Sequence, residues 1–251
     1  MPALGKYIYG VIEEPKPRRF GLSGVGDAEV YTINCQRVAA VVSDTELCEI
    51  DPTRRNVQAH TIVQDQLLRD YTLLPMSFGM IAGSEDEVRR LLEKNYLGLV
   101  SELERLNGKI QVELKVFWDQ KAMVKELQGE REEFTKLKAK INAASSPTES
   151  QSLLMQAGKL VERIALDWKA KYAGRVYAAV KQLATEARLN DPVGIKNILN
   201  ASFLIDRPRE GKFKEEVYRL DSRYQGKVNF KYVGPLPPYS FVTLKLEPVK
   251  W

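Results

Sequence analysis

Residues 51–95, DPTRRNVQAHTIVQDQLLRDYTLLPMSFGMIAGSEDEVRRLLEKN, read as helix, strand, helix, and the fold of the whole chain follows from that reading. Asp51 is a good N-cap, and Pro52 suits the first helical position, where a missing N–H needs no partner. Val57, Ile62 with Val63, Leu67 and Tyr71 recur at near-helical spacing and predict one apolar helix face. Leu73 to Ile81 is a short apolar run of strand length. Pro75 near its start cannot donate to a ladder, so the run is an edge strand or a strand entry. Gly83-Ser84 ends it. Ser84 and Glu87 form an S-x-x-E capping box, and Val88, Leu91, Leu92 and Leu97 carry the next helix.

Upstream, residues 5–13 read as a strand with apolar residues on both faces, hence a central one. Glu13 to Asp27 reads as a loop rich in Pro, Arg and Gly. Residues 28–34 and 36–43 form a hairpin turning at Asn34-Cys35-Gln36. The first part is therefore βββαβα, and Asn107-Gly108 closes it, since Gly just past a helix end is common punctuation. Downstream, Lys109–Trp118 alternates as a half-buried strand. Residues 119–190 read as a charged helical hairpin broken at Ser145–Glu149, with a second capping box at Ser146 and Glu149. Its second helix keeps one seam through Leu153, Ala157, Leu160, Ile164, Trp168, Tyr172, Val176, Val180 and Leu183; its first carries Met123, Val124, Leu127, Phe134, Leu137 and Ile141. A strand at 197–206, a helix opened by Pro208, a strand at 227–233 and a last strand at 240–246 complete the chain. The expected class is α+β in two domains. Residues 1–107 form one, and residues 108–251 form a ferredoxin-like βααβαββ domain enlarged by the hairpin.

A chain of 251 residues allows one or two such domains. No stretch approaches the roughly 18 apolar residues of a membrane helix, and no secretory signal is visible at the N-terminus. Two cysteines, Cys35 and Cys48, do not make a disulfide framework, so the expectation is a reduced, cytoplasmic chain. One histidine and two cysteines are too few for a classical zinc site, and no metal or organic cofactor is expected. The net charge of +5 is unevenly spread: residues 1–107 carry −4 and residues 108–251 carry +9. A basic half suits an acidic partner or nucleic acid.

No enzyme constellation stands out. His60 is the only histidine and has no nucleophile motif beside it; a helix histidine at a domain contact or surface is the plain reading. Cys35 and Cys48 read as small buried residues. Asp65, Asp70, Glu85, Asp86 and Glu87 read as exposed helix faces and N-terminal helix charge. Gly21, Gly24 and Gly26 lack the following Lys-Ser/Thr of a phosphate loop. Two features point to partners instead. Lys169, Lys171 and Arg175 sit on the basic face of the long helix, which a solvated surface would equally explain. Pro235 to Phe241 is a rigid turn suited to present Tyr239 and Phe241 to a partner, although its prolines also serve a plain hairpin connection.

Three segments carry a family resemblance. The helix bearing His60 with Leu74-Pro75-Met76-Ser77-Phe78-Gly79, the opening strand Lys6-Tyr7-Ile8-Tyr9-Gly10-Val11-Ile12, and Gly234-Pro235-Leu236-Pro237-Pro238-Tyr239-Ser240-Phe241 resemble, in order, the gas vesicle protein F/L family. The resemblance implies an accessory or minor structural protein of gas vesicles, the hollow protein shells of aquatic prokaryotes, needed for their formation. It implies the small, very apolar main shell protein as partner, with other vesicle accessory proteins beside it. It implies no catalytic residues, small-molecule substrate or membrane. The competing reading from residues alone is a basic nucleic-acid-binding module. Lys227-Val228-Asn229-Phe230-Lys231-Tyr232 is basic and aromatic, but lacks the Lys/Arg-Gly-aromatic pattern of RNA-recognition strands.

Overall fold

Tyr7, Ile8, Tyr9, Val11 and Ile12 are all buried, so strand β1 (Gly5–Glu13) packs on both faces and lies inside its sheet, as the sequence predicts. The computed structural model describes residues 4–46, 49–119, 121–122, 132–191, 194 and 196–246. The chain forms two compact units, residues 1–111 with 235–251, and residues 112–234. In the first unit β1 pairs antiparallel with β4 (Val38–Thr45), and with β5 (Leu73–Pro75) and β6 (Ile81–Ala82). With β2 (Arg19–Ser23) and β3 (Glu29–Cys35) the order is β2-β3-β4-β1-β5. β5 therefore ends the sheet, where Pro75 costs no ladder bond. The β3–β4 hairpin turns at Gln36, which adopts a positive φ of 51°. β2 corrects the expected loop: Arg19 pairs with Tyr31 and Ser23 with Glu29, and the strand alternates half-buried and exposed residues.

The helices of this unit differ from the sequence reading in register. α1 (Arg54–Asp70) starts after Thr53, not Asp51, because the Thr53 hydroxyl accepts the Asn56 N–H. Its buried face is His60, Val63, Gln64, Leu67 and Leu68, while Val57 and Ile62 are exposed. Two polar side chains thus occupy the inward stripe. The capping box holds: the Ser84 hydroxyl accepts the Glu87 N–H and the Glu87 carboxylate accepts the Gly83 N–H. The helix it opens breaks in two, α2 (Glu85–Lys94) and α3 (Tyr96–Leu106). Asn95 leaves helical geometry and its side chain donates back to the Leu91 carbonyl. Leu97 consequently faces solvent. Gly108, at φ +68°, follows α3 where the sequence places it.

The second unit begins within β7 (Lys109–Trp118), whose Val112, Leu114, Val116 and Trp118 are buried. Its described helices include α4 (Glu132–Ala143), α5 (Pro147–Trp168) and α6 (Gly174–Lys181), with a π turn at Lys169–Ala173 joining the last two. The Ser146 hydroxyl accepts the Glu149 N–H, as the second capping box predicts. Leu160, Ile164, Tyr172, Val176 and Val180 form the buried seam. A step of four residues drifts about 40° on an α-helix, or roughly 200° over this seam. The π turn inserts one residue and removes about 100° of that drift. β8 (Glu186–Leu189) corrects the expected helix to Asn190. It pairs with β9 (Asn197–Asp206), and Thr185 makes both its N–H and hydroxyl bonds to the Leu204 carbonyl. α7 (Glu210–Arg223) packs Phe213, Val217 and Leu220 inward, and β10 (Val228–Leu236) completes a sheet of order β10-β7-β9-β8.

Two expectations about the C-terminus are corrected. Ser240–Leu246 is no strand of either sheet: the Phe241 and Val242 N–H groups turn back to the Pro238 carbonyl, and side chains take the Ser240 and Thr243 N–H groups. Residues 235–251, expected in the second domain, belong to the first unit. Phe241 within it is fully buried. Cys48, Met123, Val124 and Leu127 lie outside the described residues.

Candidate functional site

Four segments of the first unit meet at His60. β1 supplies two tyrosines. Tyr7 and Tyr9 are two residues apart, and Tyr9 is the extra residue of a bulge between Ile8 and Gly10 in the pairing with β4. A bulge re-aims its side chain, and the two rings lie 5.0 Å apart. Gly24 has no side chain because the Tyr9 hydroxyl fills that place: a Cβ there would sit 2.1 Å from it. The glycine loop thus serves the Tyr9 hydroxyl, which accepts the Val25 N–H and meets the Ser43 hydroxyl at 2.9 Å.

The segment after β5 supplies a carbonyl, a ring and an N–H. Met76 donates its N–H to the Tyr9 carbonyl, Phe78 lies edge-on to both Tyr7 and His60, and Gly79, at φ +87°, donates to the Tyr7 hydroxyl. α1 brings His60 and Gln64 inward one turn apart. The Gln64 amide nitrogen donates to the carbonyls of Tyr9 (2.8 Å) and Met76 (3.0 Å). The C-terminal segment closes the set. The Tyr239 hydroxyl lies 2.7 Å from Gln64 Oε1, 2.8 Å from the Met76 carbonyl and 3.2 Å from His60 Nε2.

Counting protons assigns the directions. The Tyr7 hydroxyl accepts from Gly79 and so donates to His60 Nδ1, 2.9 Å away. His60 is then neutral and carries its proton on Nε2, which it donates to the Tyr239 oxygen. Tyr239 donates its one proton to Gln64 or to Met76. Burial holds the His60 imidazole below its usual range, and the Met76 carbonyl opposes that only in part. Burial pushes Tyr7 up to about 12 and Tyr239 upward as well, so both stay protonated hydroxyls. The neutral imidazole thereby ties Tyr7 of β1 to Tyr239 of the C-terminal segment. Among the described residues no three His, Cys, Asp or Glu side chains group to hold a metal ion.

A second set of ties holds the residues after Tyr239. Gln111 accepts the Ser240 N–H, Arg105 donates to the Phe241 carbonyl at 2.6 Å, and Glu102 accepts the Thr243 N–H at 2.7 Å. The Arg105 guanidinium and then the Thr243 N–H keep the Glu102 carboxyl below its usual range against the cost of burial. Beside these ties a half-open groove of about 280 Å³ is lined by Leu74, Met76, Met80, Leu99, Val242 and Leu244 among others. Leu244 rests on the bare backbone at Gly98, where a Cβ would come within 2.8 Å of it.

The structure distributes the sequence candidates unevenly. His60 is buried at 3% exposure and is not a surface histidine. Tyr239 is 43% exposed with its hydroxyl turned inward, whereas Phe241 is at 0% and has no surface to offer a partner. Lys169, Lys171 and Arg175 are exposed in the second unit, at or just after the π turn, and Lys171 lies 5.5 Å from the Tyr172 ring. The Tyr232 ring packs against Phe213 and its hydroxyl donates to Glu210, which occupies a ring the nucleic-acid reading needs free. Sequence reasoning missed Tyr7, Gln64, Glu102, Arg105 and Gln111. A detectable signal was Gln64, four residues after His60 on the stripe that also holds Val63, Leu67 and Leu68.

The three segments that carry the family resemblance are the ones that meet here, and a family model, gas vesicle synthesis protein GvpL/GvpF, matches residues 5–243. The chain belongs to that family. It is thereby a gas vesicle-associated protein. It is 28% identical to gas vesicle protein F of Nostoc sp. (strain PCC 7120), over 96% of this chain and 98% of the relative. Gas vesicle protein F1 of Halobacterium salinarum is 25% identical over 96% and 93%. The crystal structure of GvpF from Anabaena sp. PCC7120 matches with a TM-score of 0.79 at 28% identity, covering 96% of this chain and 99% of that one. GvpF from Microcystis aeruginosa matches with a TM-score of 0.76 at 22% identity, a likeness of fold. These relatives are named as gas vesicle proteins rather than enzymes. No helix among the described residues is long and apolar enough to cross a membrane.

Proposed function

We propose that this protein binds the main gas vesicle shell protein and assists vesicle assembly in the cytoplasm, alone or with other vesicle accessory proteins. The observation that carries the reading is the convergence of the three family segments on a rigid tie beside an apolar groove. Four distant stretches of chain are locked together there, without catalytic groups, next to apolar side chains left partly open. An unassembled apolar subunit aggregates unless its surface is covered. Met76 and Met80 suit the task, since flexible thioethers adapt to different surfaces. Tyr239, half exposed beside Met76, adds an aromatic contact. The second unit contributes the basic face of Lys169, Lys171 and Arg175, which steers encounter with an acidic patch. Its element order and its sheet order β10-β7-β9-β8 support a ferredoxin-like reading of that unit.

The test is binding of purified shell protein to this chain across a salt series. Reversing Lys169, Lys171 and Arg175 to Glu is expected to slow association and flatten its salt dependence, because exposed charges are screened beyond about 8–10 Å at physiological ionic strength. Met80→Asp, which charges the groove wall, is expected to weaken binding at every salt concentration. A folded protein without affinity for the shell protein, with or without the other vesicle proteins, overturns the proposal. Binding of RNA with a steep salt slope instead replaces it with the nucleic-acid reading.

A further inference from the structure

One wall of the groove in the first unit is a length of chain whose backbone is left open. Val242, Leu244 and Leu246 line the groove and are half-buried, whereas Thr243 and Lys245 between them are exposed. That alternation is the period of an extended strand. The segment nevertheless joins neither sheet. Its last fixed backbone group is the Thr243 N–H, which donates to Glu102 of α3. Among the described residues, the backbone groups of Leu244, Lys245 and Leu246 have no hydrogen-bond partner. The segment is still seated, because Leu244 rests on the bare backbone at Gly98. In a strand, the backbone groups of alternate residues point to opposite edges. Thr243 points to Glu102, so Lys245 shares that edge, and Leu244 and Leu246 offer their groups to the other. The groove lining carries no charged side chain. Lys245 places a positive charge between the two leucines, on the solvent side.

We propose that this groove takes its partner as an added β-strand: an extended segment reading apolar–acidic–apolar pairs antiparallel with Leu244–Leu246 and sets its two apolar side chains into the groove. The proposal deepens the shell-protein reading and rests on it for the partner's identity. Unpaired backbone beside an apolar surface is a template for another chain. In strand addition the main-chain bonds give affinity, and pockets for alternate side chains give specificity. A helix satisfies its own backbone and would leave Leu244 and Leu246 unpaired. An added strand lies about 4.8 Å from its neighbour, with directly opposed side chains on the same face. Residues opposite Leu244 and Leu246 therefore turn to the groove side, and only apolar ones suit its uncharged lining. The residue opposite Lys245 turns to solvent with it. A carboxylate there makes an opposite-charge cross-strand pair, and a lysine there is disfavoured.

The probe is the acetylated, amidated peptide Thr-Val-Glu-Val-Thr, titrated into the full chain and read by amide hydrogen exchange. At saturation the Leu244 and Leu246 amides are expected to exchange at least about tenfold more slowly, and the Lys245 amide to stay as it was. N-methylation of both valines, whose N–H groups face the strand, is expected to abolish binding; N-methylation of the glutamate, whose N–H faces away, is expected to leave it. Replacing the peptide's glutamate by lysine is expected to weaken binding up to about fivefold, and Lys245→Glu, at an exposed position, to restore it. No binding of the peptide at millimolar concentration, binding that leaves Leu244 and Leu246 unprotected, or equal loss from either N-methylation overturns the proposal. The shell protein separates the two readings. If it binds without protecting these amides, strand addition is overturned and the shell-protein reading stands. If the peptide binds in the expected pattern and the shell protein has no affinity, the strand site is supported and the shell-protein reading falls.

Discussion

Tyr239→Phe removes one oxygen from the tie while leaving the ring that packs beside Met76. The structure then takes the Tyr239 oxygen from the His60 Nε2–H and takes the one Tyr239 proton from the Gln64 Oε1 and Met76 carbonyl pair, whereas the Gln64 amide nitrogen keeps both carbonyls. Each buried polar group left unpaired costs about 1–3 kcal/mol. Tyr239 is at the edge of the site, and water can replace part of the loss, so the low end applies: about 2 kcal/mol for both groups together. For a unit of this size that corresponds to a melting shift of roughly 6 °C downward. The assay is calorimetry of the first unit's transition, with hydrogen exchange at Met76 as a local reading, since a chain with two units need not melt in one step. A double-mutant cycle with Gln64→Ala isolates the shared bond. Partners in one network couple by about 0.5–3 kcal/mol. A shift within 1 °C of the wild type, or strictly additive effects of the two substitutions, would refute the reasoning that this hydroxyl ties the C-terminal segment to α1.

Two further predictions rest on packing. Phe241→Ala empties a fully buried site and should cost about 3–5 kcal/mol; the loss should appear as unfolding of the first unit in circular dichroism, not as a selective loss of partner binding, and a folded variant of wild-type stability would contradict the burial. Deleting Ala170 removes the inserted residue, so the π turn should close into an α-helix while Val176 and Val180 keep their place on the seam; a thermal midpoint close to the wild type is expected, and a marked fall would mean that the π turn does not act as a one-residue insertion.

Much of the fold was legible because local chemistry repeats at fixed periods. The alternation in Lys109–Trp118, the capping boxes at Ser84 and Ser146, and the glycine at 108 each act within a few residues, and the structure keeps all of them. Where local rules competed, tertiary contacts decided. Arg19–Ser23 has the composition of a loop but pairs with β3, and Glu186–Leu189 continues a helical pattern but finds β9 beside it. The α1 register went the same way. Val57 and Ile62 outrank His60 and Gln64 as core residues by hydropathy, yet the inward stripe takes the two polar side chains because acceptors and donors from three other segments await them there.

The sequence by itself determined the class of the protein, the position of Pro75 on a sheet edge, and, through three separated motifs, the family. It also marked Tyr239 and Phe241 as a pair, but not that one ring would reach the surface while the other is sealed inside. Only the tertiary structure decided that, and with it the return of the C-terminus to the first unit. The reason is physical: the bonds concerned join residues 60 and 239, 102 and 243, and 111 and 240. Such pairings leave no period in the chain to read, because what selects them is the need of each buried donor and acceptor for a partner once the apolar residues have collapsed around it.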